Sequence, residues 1–93
     1  MKFPENYQVG FSEPDGTLEE YLDWGWEIGF VYNDTKYRID YGYYGGRDII
    51  DCVTNKTVHH VESEAARDFL DSAFLGKKVE DILLHEAYIT ELH

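Results

Sequence analysis

A chain of 93 residues carrying a formal net charge of −11 has room for one hydrophobic core and no second domain. Its 43% apolar and 16% aromatic residues argue for a folded protein despite the charge. The acid excess argues against direct nucleic-acid binding, which needs clustered Lys and Arg. No segment approaches the roughly 18 apolar residues of a membrane span.

Met1 to Glu5 lacks the apolar run of a signal peptide. The single cysteine, Cys52, excludes an internal disulfide framework and fits a reducing compartment, so the expected localisation is cytoplasmic. Residues 1–16 read as an extended arm: Tyr7, Val9 and Phe11 alternate, and Pro14-Asp15-Gly16 is a turn signal. Thr17-Leu18-Glu19-Glu20 has the form of a capping box. It opens a short helix over residues 17–24, with Leu18, Tyr21 and Leu22 on one face and Gly25 as the stop.

From Trp26 to Val61 the chain alternates in period two, interrupted at Asn33-Asp34, Gly45-Gly46 and Asn55-Lys56. This pattern predicts a four-stranded antiparallel meander. Asn at two of these turns is explained by its hairpin preference, so the sequons Asn33-Asp34-Thr35 and Asn55-Lys56-Thr57 need no glycan. Two-residue turns at all three points would fix the registers. They place Trp26, Ile28, Phe30, Tyr37, Ile39, Tyr41, Ile50, Cys52 and Val61 on one face, a core. A helix over 64–75, capped by Ser63 and closed at Gly76, presents Ala66, Phe69, Leu70, Ala73 and Phe74 to that core. A second helix spans 79–85, and Ala87 to Thr90 closes the chain as a strand or tail. The fold class expected is α+β, with helices on one face of the sheet.

The run TLEEYLDWGWEIGFVYNDTKYRIDYGY, with GKKVEDILL after the helix, resembles a group of small acidic proteins of Gram-positive bacteria and their mobile elements. Their pattern is a short leading helix, an apolar strand, a YNGKxYxI-like hairpin and a late GKxLxDI-like helix. Here Asp34-Thr35 stands in the hairpin where Gly is usual. The resemblance covers roughly residues 17–85 and rests on turns and core positions. It implies a cytoplasmic bacterial or phage setting, no known activity and no catalytic residue to carry over.

The second sheet face holds the chemistry. The same registers line up Glu27, Asp40, Asp51 and His60, a carboxylate–imidazole row. Opposed like charges on neighbouring strands are unfavourable, and one remedy is a divalent cation held by oxygen and imidazole ligands. The alternative is a solvated row neutralised by Lys36 and Arg38. Val31, Tyr44, Ile49, Val53 and Val58 fall on the same face, more apolar surface than a solvated sheet needs, and are the expected partner contacts. His59 falls on the core face beside Cys52, and His85 and His93 have no ligand-spaced companion. No P-loop, dinucleotide fingerprint, CxxC or nucleophile elbow is present, and no cofactor is expected.

Charge is segregated. Residues 1–34 carry a net −7, residues 35–61 a net +1 and residues 62–93 a net −5. The function this favours is a non-enzymatic interaction module whose partner is another protein or a second copy, without nucleic acid or membrane. The two alternatives are a metal-binding or hydrolytic protein using the acid row, and an acidic nucleic-acid mimic using the carboxylates of residues 13–27 and 62–81.

Overall fold

The computed structural model describes residues 16–42 and 45–93. Helix α1 (Leu18–Asp23) begins on the expected capping box: the Thr17 hydroxyl accepts from the Glu20 amide, and the Glu20 carboxylate accepts from the Thr17 amide. Strands β1 (Ile28–Tyr32), β2 (Thr35–Tyr41), β3 (Arg47–Asp51) and β4 (Lys56–Val61) follow as the meander. The sheet has five strands rather than four, ordered β4-β3-β2-β1-β7 among the described residues. The fifth, β7 (Tyr88–Leu92), pairs antiparallel with β1.

The first hairpin has the expected register, Tyr32 opposite Thr35 and Ile28 opposite Ile39. Asn33 and Asp34 both take positive φ, 50° and 63°, the type I′ turn whose twist matches the strands. The second connection differs. Gly45 and Gly46 do not form a two-residue turn. The ladder stops at Tyr41 opposite Arg47, and a five-residue loop, 42–46, is closed by the Gly42 amide donating to the Gly46 carbonyl. This shifts β3 by three residues, an odd number, and so turns its side chains over. Ile49, expected on the outer face, is wholly buried opposite Ile39. Ile50 and Cys52, expected in the core, are not buried. The third connection is also longer than two residues. Asp51 pairs with Lys56, and its carboxylate accepts from the Val53 and Thr54 amides, an Asx-type cap that closes loop 52–55.

The core fills one side of the sheet: Ile28, Phe30, Tyr37, Ile39 and Ile49 from the strands, Leu18 and Leu22 from α1, and Phe69 and Leu70 from α2 (Ala66–Asp71). Trp26 and Tyr41, expected in the core, lie at its exposed rim. Helix α2 is shorter than residues 64–75. Its first free amide, on Ala66, donates to Asp23 of α1, while Ser63 accepts from the Ala65 amide. It stops at Ser72, whose hydroxyl donates to the Phe69 carbonyl. Leu75 and Gly76, at φ 52° and 83°, then turn a small hairpin of β5 (Ala73–Phe74) and β6 (Lys77–Lys78). Helix α3 (Val79–Asp81) runs on into a π turn, Ile82–Glu86, ended by the Ala87 amide donating to the Ile82 carbonyl. All described helices therefore lie on the core side, and none is long and apolar enough to cross a membrane.

Candidate interaction surface

The side chains opposite the core define the other face. By strand alternation they are Val31 from β1, Lys36, Arg38 and Asp40 from β2, Asp48 and Ile50 from β3, His60 from β4 and Tyr88 from β7, with Glu91 brought to the same face by the β1–β7 register slip between Gly29 and Phe30. Each basic side chain there reaches a carboxylate, although only His60 and Asp48 stand directly opposite each other. Lys36 bonds Glu91 at 2.5 Å across β1, which raises the lysine pKa and, with help from His93, lowers that of the carboxylate. Arg38 reaches Asp40 at 3.7 Å, and His60 Nδ1 lies 2.5 Å from Asp48 Oδ1. The Asp48–His60 pair is the most enclosed of the three. Asp48 is 8% exposed, and Gly42 crosses so closely that a Cβ there would stand 3.2 Å from the His60 ring and 3.3 Å from the Asp48 carboxylate.

The expected row of Glu27, Asp40, Asp51 and His60 is not assembled. The three-residue shift puts Asp48 opposite both Asp40 and His60, while Asp51 is spent on its own loop. Asp40 is also committed, one oxygen accepting from the Tyr41 amide and the other facing Arg38. Glu27 exchanges backbone hydrogen bonds with His93 at the β1–β7 edge. Among the described residues, no three His, Cys, Asp or Glu side chains are grouped to hold a metal ion.

Of the expected partner contacts, Val31 lies half-buried on this face. Ile49 belongs to the core, and Ile50 takes its place outside. Val53 is 80% exposed at the tip of loop 52–55, outside the strand. Val58 is exposed where the β3–β4 register slips, between Ile49–His59 and Ile50–Thr57. Tyr44 lies outside the described residues, as does the arm up to Asp15.

His59 points into the core side as expected, but its neighbour is Ser72 and not Cys52. Its Nε2 lies 2.8 Å from the Ser72 hydroxyl, between the Phe69 and Phe74 rings. Because Ser72 donates its own proton to the Phe69 carbonyl, the hydroxyl accepts from the imidazole. The bond runs opposite to that of a base activating a nucleophile. Burial and the nearby His60 charge push the His59 pKa down, against a smaller upward pull from Asp48.

Asp48, Ile50, Tyr88 and the Lys36–Glu91 bridge escaped sequence reasoning. The available signal was Gly42: three glycines in five residues favour a wide loop over a two-residue turn. Compared with known proteins, the chain matches no family model, no curated protein and no solved structure.

Proposed function

We propose that the protein is a non-enzymatic interaction module that meets its partner, another protein or a second copy, with the outer face of its sheet. The observation carrying this reading is the contrast between the two sides. The outer face sets Lys36, Arg38 and His60 against carboxylates and interleaves them with Val31, Ile50 and Tyr88. The helical side carries Glu19, Glu64, Asp68, Asp71, Glu80 and Asp81 with Arg67, Lys77 and Lys78. Bringing a partner against this face, where Lys36 and Arg38 offset all but one of the charges of Asp40, Asp48 and Glu91, lessens the repulsion that a chain of net −11 would impose elsewhere.

Five strands of about five residues present roughly 400 Å² on one face. That is half the usual contribution per partner, which places the contact among weak, transient interfaces. Wild-type protein and the Ile50→Asp variant, used side by side as baits, test the reading. A protein retained by wild type should be lost from the variant while the circular dichroism of the two is alike. Equal retention by both would overturn it.

A further inference from the structure

A second surface lies at the rim of the core, away from the outer sheet face, and is independent of the reading above. Helix α1 ends at Trp24, and Gly25 takes φ +88°. This left-handed residue reverses the chain tightly enough for the Trp26 amide to donate back to the Tyr21 carbonyl. Two tryptophans separated by Gly25 are thereby brought onto a single tyrosine. The Tyr21 ring stands edge-to-face with Trp24, at 5.2 Å and 68°, and with Trp26, at 5.1 Å and 81°. Tyr21 is buried, while Trp24 is 55% and Trp26 37% exposed. Tyr41, 48% exposed, extends the patch. A Cβ at Gly25 would lie 3.2 Å from its hydroxyl.

We infer that this aromatic corner receives a Lys or Arg side chain from a basic peptide segment. Exposed indole and phenol faces carry negative potential and attract ammonium and guanidinium groups. The helix leading into the corner is acidic, with Glu19, Glu20 and Asp23 and no base. Glu20 lies one turn before Trp24 with its carboxylate accepting from the Thr17 amide, and Asp23 sets one oxygen on the Ala66 amide. The cation already at this corner is not displayed. Arg47 lies beneath Tyr41, 5.3 Å from the ring centroid, 3% exposed and hydrogen-bonded to the Leu22 carbonyl. The corner thus presents aromatic faces at the end of an acidic helix, with Arg47 buried beneath Tyr41 and not displayed as a competing surface cation, the arrangement suited to a basic ligand. An acidic ligand would meet like charge at Glu20 and Asp23.

Both tryptophans of the chain sit in this corner, so intrinsic tryptophan emission reports its occupancy directly. Titration of the full chain with a short arginine-rich peptide should give a saturable emission change that weakens with salt. A glutamate-rich peptide and a glutamine-rich peptide of the same length should give none. Trp24→Leu, read through Trp26, should weaken binding about three- to fivefold, the size of an exposed cation–π contact. Glu20→Gln removes the charge and retains the oxygen of the capping box, so it should weaken binding about twofold with unchanged circular dichroism. If Trp24→Leu disturbs the fold, this second variant decides. The inference is overturned by an absent or non-saturating response, by equal binding of the neutral or acidic peptide, or by unaltered affinity in the charge variant. It is also overturned if emission changes with protein concentration alone, since a second copy would then fill the corner.

Discussion

The three-residue shift of β3 makes a sharp prediction about two adjacent isoleucines. Ile49 is wholly buried opposite Ile39 in a central strand, so Ile49→Ala deletes three methyl-sized groups from packed core and should cost about 2–5 kcal/mol. Ile50 points outward and is only partly covered, so Ile50→Ala should cost less than about 1 kcal/mol. A domain of this size holds about 5–14 kcal/mol in total, so the first change removes a large share and the second little. With an unfolding entropy near 2.1 cal/mol/K per residue, a loss of 3 kcal/mol lowers the melting temperature by roughly 15 °C. Urea unfolding followed by tryptophan emission, confirmed by thermal melts at low protein concentration, measures both. If Ile50→Ala costs as much as Ile49→Ala or more, β3 is in the opposite phase and the account of both sheet faces fails.

The loop that sets this shift can be tested at its glycines. A Cβ at Gly46 would meet the Val61 carbonyl at 2.2 Å, whereas at Gly45 the closest atom is the Glu64 carboxylate at 3.9 Å. Both have positive φ, so Gly45→Ala should cost about 1–2 kcal/mol in backbone strain and Gly46→Ala about 3 kcal/mol or more; equal costs in denaturation would refute this loop geometry. On the helical side, Arg67 joins α1, α2 and α3 through Glu19, Asp71 and Glu80 at 3.2, 2.9 and 2.7 Å. Its side chain is partly exposed, so Arg67→Met should cost about 1–2 kcal/mol at low salt and less in concentrated salt; a salt-independent cost would mean packing rather than charge. The lowered pKa of His59 fixes the sign of a pH effect. Below the ordinary histidine value the unfolded chain takes up a proton that the folded chain resists, so stability falls as pH drops from 6.5 toward the lower folded value. Loss of the Asp71 and Glu91 pairings, whose carboxyl pKa values are lowered by Lys78 and Lys36 respectively, belongs to a separate window below 4.5. Urea midpoints between pH 7.5 and 5.5 should show a slope in wild type that His59→Gln reduces, and an unchanged slope would assign the effect to another group.

Much of the fold was legible because its signals are local. The Thr17–Glu20 capping box and the Asn33-Asp34 turn depend on residues within one turn of each other, and both formed as the sequence implies. The β2–β3 register depended on how much chain the loop uses, and three glycines allow several closures. One wrong count inverted β3, which exchanged Ile49 for Ile50 and Asp51 for Asp48. The β7 pairing with β1 is non-local, and the alternation of Tyr88 to Leu92 carries no mark of its partner. The helix over 64–75 was cut short because Ser72 and the Leu75-Gly76 turn compete with helical hydrogen bonding, a competition that a 3.6-residue periodicity does not register. The charge contrast between the sheet and its flanks was readable directly, since it needs only the segment boundaries.

Nuclear magnetic resonance shift mapping of the isotope-labelled protein with its captured partner, or against its own concentration if copies pair, tests the central claim most directly. Perturbations should gather at Val31, Lys36, Arg38, Ile50 and Tyr88 on the outer sheet face. Perturbations gathered instead at Glu64, Asp68 and Asp81 on the helical side, with the sheet face unmoved, would contradict it.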